Sequence, residues 1–272
     1  MEKQWITACV LLSSSVLFSL EEAPWLGDVY GFELYTDFSY SQYQKIDHAI
    51  IQPLYSYNNY VTKASIAFTA SENLDVQGEI ELARTPHQTY GFRAAALQAR
   101  YLLWNDIAGD LMSIACGLNT RAVTGRAVKD VSSPYASYWN GEFALSLGKE
   151  FTKASNWKTR GYLLGTLGLA NHGSFWNRCK AVFETHVTDS QAIQFFGLGY
   201  FGYGAEKDVD IENFRGWGFI RHDSFDVGAK YSYFFDLWGC IDLSYACRVW
   251  ASSYPKKEQT IQLSYSLPFS LF

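Results

Sequence analysis

A chain of 272 residues with a formal net charge of −5 suits one all-β domain and gives no electrostatic reason to expect a nucleic-acid partner. Aromatic residues make up 17% of it and charged residues 18%, yet beyond its first residues it has no apolar run of the roughly 20 positions that a spanning helix needs. A soluble domain this aromatic would show long apolar core segments, whereas here apolar and polar residues interleave.

Residues 1–20 read as an export leader: Lys3 gives the positive end and 5–20 the apolar core, interrupted by serines at 13–15. Ser19 and Ala23 both offer cleavage positions, and neither gives a clean A-x-A. The apolar core follows Cys9 instead of preceding it, which rules out a lipoprotein site. From residue 28 to 272 the pattern is that of a single domain, without repeat or linker.

That domain reads as strand after strand. Between 74 and 82, Leu74, Val76, Ile80 and Leu82 alternate with Asp75, Gln77, Glu79 and Glu81, a period of two that puts the sets on opposite sheet faces. The stretches 32–40, 225–233, 241–249 and 261–269 alternate in the same way. Strands are predicted near 28–43, 61–71, 73–85, 90–104, 109–122, 137–149, 157–171, 178–188, 191–204, 222–234, 239–251 and 258–271. Each can supply the roughly 9–11 residues with which a tilted strand crosses a bilayer. The stretch 195–204 is aromatic and glycine-rich, with no clear polar face.

Connections alternate in length. The set 44–60, 86–89, 123–136, 172–177, 205–221 and 252–257 contains the long members, while 72, 105–108, 150–156, 189–190 and 235–238 stay short. An even strand count with this alternation predicts a transmembrane antiparallel β-barrel of about twelve strands, its long loops extracellular and both termini periplasmic. Aromatic rings fall at the predicted strand ends, where interfacial girdles belong. Trp104, Trp157, Phe234, Phe235 and Trp238 mark one end, and Tyr135, Tyr138, Trp139, Trp176, Trp250 and Tyr254 the other.

With the apolar faces outward, the predicted lumen carries Glu33, Asp37, Asp75, Glu79, Glu81, Glu142, Glu184, Asp226 and Asp242 against Arg100, Arg121, Lys158, Arg160, Lys180, Lys230 and Arg248. Neighbouring strands would set Asp75 about opposite Arg100, and Lys230 about opposite Asp242. A narrow channel needs such polar walls, and a structural barrel uses cross-lumen pairs to fill itself. The near balance of sign argues against a sharply ion-selective pore. No cofactor or metal is expected: the five cysteines show no CxxC spacing, and Glu184 with His186 is a lone pair. His48, His87 and His222 read as solvated loop residues. Arg121, Arg126 and Lys129 would lie near the outer rim, where anionic lipopolysaccharide is a plausible partner.

By this pattern the chain resembles the Gram-negative outer-membrane β-barrel proteins. Its best local mark is the ending 261–272, IQLSYSLPFSLF, an amphipathic strand closing on Phe272. The resemblance implies an outer-membrane location and recognition by the barrel-assembly machinery. The ending departs from the pattern in two ways. Tyr265, Leu267, Phe269 and Leu271 are one position out of phase with Phe272, and Pro268 predicts that the last residues bend out of the ladder.

One segment, His172-Gly173-Ser174 followed by Trp176-Asn177-Arg178, resembles the motif of the outer-membrane phospholipase A family. That resemblance implies Ser174 as nucleophile, His172 as base and Asn177 as the orienting group. Phe175 stands where the family has Asn, and the spacing to Asn177 is shorter. The expected protein is a non-enzymatic barrel acting as a narrow channel for small polar solutes or as a structural surface protein, with a barrel lipase as the alternative.

Overall fold

The computed structural model describes residues 20–152, 158–235 and 238–270. The expected leader, apart from Leu20, lies outside these residues, as do Trp157, Leu271 and Phe272.

In chain order the strands are β1 (Phe32–Tyr43), β2 (Lys45–Ile46), β3 (Tyr57–Ser71), β4 (Leu74–Arg84), β5 (Gly91–Trp104), β6 (Ser113–Val123), β7 (Trp139–Thr152), β8 (Lys158–Ala170), β9 (Trp176–Thr188), β10 (Gln191–Tyr203), β11 (Arg221–Phe235), β12 (Gly239–Ser252), β13 (Pro255–Lys256) and β14 (Gln259–Phe269). All but β2 and β13 form one closed antiparallel barrel, in which each strand pairs with the next and β14 returns to β1. Closure leaves the sheet no exposed edge, and so no row of unpaired backbone groups to meet lipid.

The wall is inverted relative to a soluble sheet. Along β4 the side chains of Asp75, Gln77, Glu79 and Glu81 are buried, whereas Ile80 is 53% exposed. On the neighbouring strands Leu97, Leu118, Leu163 and Leu169 are likewise exposed, while Arg100, Arg121 and Thr166 are buried. Strict alternation achieves this sorting, and a hydrocarbon surround is the solvent that favours it. Even β10 sorts: Ala192, Gln194, Phe196 and Leu198 turn inward and Phe195 outward.

The seam runs from Phe32 opposite Phe269 to Gln42 opposite Gln259, so Pro268 stays in the ladder opposite Glu33. The ladder thus runs on through Pro268 to Phe269, and the expected bend at Leu271 and Phe272 lies outside the described residues. The last pair between β12 and β14 is Cys240 with Ser266, which leaves Pro268 on a stretch with a single neighbour. A missing donor is tolerated at such an end.

Several boundaries differ from the alternation. Residues 28–31 form a turn with Gly31 N–H donating to Asp28 O at 2.9 Å, and β1 begins only after it. Between β5 and β6 the turn occupies 105–112, because Asn105 and Asp110 satisfy its backbone: Ile107 N–H donates to Asn105 Oδ1 at 3.1 Å and Asn105 N–H to Asp110 Oδ2 at 2.7 Å.

At the barrel's other end the long loops fold over the mouth. β2 pairs with β13, and a single turn α1 (Gly125–Val128) is capped by Thr124. Tyr43, Ile46, Tyr57, Val131, Val209, Phe214, Trp217, Ile220, Ala251 and Tyr254 pack there as one buried cluster. Trp217, 1% exposed, donates its indole N–H to Ser133 O at 2.8 Å. Three rings expected in a lipid girdle belong instead to the interior: Tyr135, Trp176 and Tyr254 are buried. Phe234 also points inward, stacked on His186 at 5.5 Å. Trp104, Trp238, Phe235, Tyr138, Trp139 and Trp250 are exposed at the strand ends. His222 is not solvated: it is 1% exposed and stacked on Tyr254.

Candidate functional site

The lumen has three zones. Nearest the loops, charged side chains tie the cap to the wall. Glu81 on β4 meets Arg93, Lys63 at 3.8 Å and Arg121 at 3.5 Å, and Arg121 reaches Glu79 at 2.9 Å. The phenol of Tyr135, carried by the loop between β6 and β7, donates to Glu81 Oε1 at 2.5 Å. Burial and the neighbouring Glu81 both push that phenol up, so it stays a neutral donor. Across the barrel Arg248 donates to Asp226 at 2.7 and 3.1 Å, to Pro255 O at 3.1 Å and to Glu258. Groups this buried offset their desolvation only when multiply bonded, as these are.

The second zone is a segment that strand periodicity does not reveal. Residues 20–27 run inside the barrel, with Leu20 only 3% exposed. Glu21 N–H donates to Gln77 Oε1 at 2.9 Å, Gln98 donates to Glu21 O at 2.6 Å, and Arg100 Nη1 donates to Ala23 O at 2.6 Å. The Glu22 carboxylate takes Arg178 Nη1 and Lys180 Nζ, each at 2.8 Å. Trp25 donates its indole N–H to Asp106 Oδ1 at 3.0 Å and lies beneath Arg160, 4.7 Å from the ring centre. The wall is shaped for this segment. A Cβ at Gly148 would come within 2.6 Å of Pro24 and 3.0 Å of Trp25. Burial raises the Asp106 carboxyl, but the Glu150 N–H, the Ser113 hydroxyl and the Trp25 indole outweigh it and hold the group below its ordinary range.

Beside this segment, on the short-turn side, lies a cavity of about 1230 Å³ whose lining reaches roughly half-way up the barrel. Lys158, Arg160, Lys180, Glu184, His186 and Lys230 line it from β8, β9 and β11. Glu33, Asp37, Asp242, Ser244, Gln262 and Ser264 line it from β1, β12 and β14. Asp75 faces Arg100 in register, whereas Lys230 faces Ser244 and reaches Asp242 diagonally at 3.4 Å. Glu142 is bound by Arg178 at 2.8 Å and by the Trp176 indole at 2.7 Å. Arg160 and Lys158 share Glu150, at 2.6 and 3.3 Å.

The lipase constellation does not assemble. Trp176 and Arg178 are buried against Glu142 in the lumen, so Asn177 between them takes the outer face, where it donates to Tyr203 OH at 3.3 Å. No hydrogen bond joins His172, Ser174 and Asn177; Ser174 N–H instead donates to Gly218 O at 2.7 Å. Gly173, at φ +94°, lets this turn lie on the Gly218 backbone, where a Cβ would come within 2.6 Å. Among the described residues no group of three or more His, Cys, Asp or Glu could hold a metal ion.

A closed barrel with an apolar exterior, charged interior and alternating long and short connections defines the outer-membrane β-barrel fold. No family model and no curated protein matches the sequence. Among solved structures the chain is similar to a COG4313 outer membrane channel from Pseudomonas putida F1, at 11% identity and a TM-score of 0.67, over 94% of this chain and 100% of that one. It is also similar to the NanC porin, at 9% identity and a TM-score of 0.54, over 86% and 98% of the two chains. The KdgM porin gives 8% identity and 0.50, over 85% and 98%.

Proposed function

We propose that the protein is an outer-membrane barrel acting as a narrow porin-like channel for small polar solutes, shut at its loop end in this conformation. The supporting observation is the cavity of about 1230 Å³, walled by charged and hydroxyl side chains, that persists beside the N-terminal segment. Polar walls around such a volume can replace a solute's hydration, as a channel requires. The solved channel and porins of like fold agree with a transport role and carry no lipase geometry to this chain.

In this reading the loops face outward and the short turns face the periplasm. Exposed Arg126 and Lys129 on α1 meet lipopolysaccharide, and β14 presents the assembly signal. The buried cap favours a second reading, a structural surface protein. Planar-bilayer recording of the intact chain and of a variant lacking 207–213 separates the two: stepwise conductance that rises in the variant supports the channel, and silence from both folded proteins supports the scaffold. Phospholipid release by the wild type and by Ser174→Ala is expected to be indistinguishable from the lipid background.

A further inference from the structure

Among the described residues the luminal cations are matched to anions on the wall with one exception. Arg100 has Asp75, Arg121 has Glu79, Arg160 has Glu150, Arg178 has Glu142, Lys230 has Asp242 and Arg248 has Asp226. Lys180 is different: its carboxylate partner is Glu22, on the threaded segment. Arg178 and Lys180 stand two positions apart on β9, so both side chains share the luminal face. Both converge on the one carboxylate, each at 2.8 Å. From β5, Arg100 reaches the same segment at Ala23 O, 2.6 Å away. Lys180 also lines the open cavity, so a solute entering from the short-turn side meets it directly.

The segment that supplies Glu22 is joined to the wall through the turn at 28–31, where Tyr30 has φ 62°. Near Leu20 it is held chiefly by hydrogen bonds to side chains of Gln77 and Gln98. Such bonds exchange for bonds to water at little net cost, whereas each strand of the wall is paired along both edges, so the segment is exchangeable in a way the barrel wall is not.

We propose that Arg178 and Lys180, with Arg100 beside them, form a binding site for carboxylate-bearing solutes, and that Glu22 occupies it as a tethered stand-in. The N-terminal segment is then a plug, and an acidic solute displaces it by taking its carboxylate's place. A tether raises the local concentration of its own group to the millimolar range for short linkers. A free solute competes against that occupancy, and its apparent affinity falls by the fraction of time the site is empty. The proposal rests on the channel reading for its physiological meaning, but the site is testable without conduction.

The test is calorimetric titration of the folded barrel in detergent with succinate, using erythritol as the uncharged control. Glu22→Gln keeps the segment's shape and removes the competing charge, so succinate is expected to bind it about tenfold more tightly than wild type. Adding Lys180→Gln to that variant is expected to abolish the gain. Equal affinity in wild type and Glu22→Gln, or a gain insensitive to Lys180→Gln, overturns the site. Heat-modifiable migration shows which variants are folded. If Glu22→Gln is not, wild type titrated with succinate against the Lys180→Gln single variant carries the decision, with equal binding overturning it. Succinate binding in a barrel silent in planar bilayers keeps the site and rejects the channel. An intact mass beginning at Pro24, past Glu22, overturns the plug; leader cleavage after Ser19 retains it.

Discussion

The two ends of the lumen are closed by different physics. At the loop end Tyr43, Tyr57, Phe214, Trp217 and Tyr254 bury their rings against one another, and the wall's own carboxylates fix the covering loops through Tyr135 and Arg248. At the short-turn end a segment lies against the wall through hydrogen bonds, one carboxylate and the few apolar contacts of Leu20, Pro24 and Trp25, with a cavity left open beside it. Apolar burial contributes about 25 cal/mol per Å² and draws in every packed neighbour at once, whereas polar links count singly. The cap is therefore part of the fold, and the threaded segment is a part that the fold holds.

The largest expected effect comes from breaking the cap. Arg248→Ala leaves Asp226 and Glu258 buried without their shared cation, a loss of about 3–5 kcal/mol by analogy with other buried pairs. The temperature at which the barrel loses its fast gel migration should fall clearly. Trp217→Ala removes the ring at the centre of the cluster and costs about 3–5 kcal/mol. Its effect should concentrate in the loops: protease should cut 205–220 in the variant and spare it in wild type. If the loops stay protected, the cap is held by its ion pairs and not by its buried rings.

The next effect sharpens the contrast from the other side. Gly148→Val puts a branched side chain where Pro24 and Trp25 lie, and overpacking of this kind costs about 1–3 kcal/mol. On the plug proposal the segment yields before the wall does, so the strain should expel residues 20–27 while the barrel's heat-modifiable migration stays unchanged. Hydrogen exchange at residues 21–23 and 25 should rise in this variant and remain slow in the cap.

What was legible in the sequence divides along the same line. Alternation at 74–82 or 241–249 states which side chains share a face, because a strand has only two, and closure follows from repeating that over an even number of strands. Rings at strand ends are harder. Trp139 and Trp250 are exposed on the outside of the barrel while Tyr135 and Tyr254, a few residues away, turn into the cap. The difference is made by loops that curl inward, which no periodicity records. The segment 20–27 was illegible for a related reason: it takes its conformation from Gln77, Gln98, Arg100 and Arg178, residues far along the chain. Its acidic pair Glu21 and Glu22, set just after the expected leader, was the available sign.

The smallest effect is one of pH, and it is read at the Trp25 anchor of the plug. Asp106 accepts the Trp25 indole N–H and is held below the ordinary carboxylate range, so its charged form is favoured in the folded protein. A carboxyl lowered in this way contributes stability above its unfolded value, about 3.9, and loses it as pH falls through the lower folded value. Between pH 7 and 5 the Trp25 anchor should therefore be constant. Further acidification should loosen it, read as a change in the emission difference between the wild type and Trp25→Phe. Asp106→Asn keeps an acceptor for the indole but nothing to titrate, so its difference signal should lose this acid step. A step of full size in Asp106→Asn would assign the titration elsewhere, with Glu150 and its partner Arg160 over the Trp25 ring as the group to examine next. Between pH 7 and 5 the cap, whose Tyr135 phenol stays neutral, should keep its loops protected from protease.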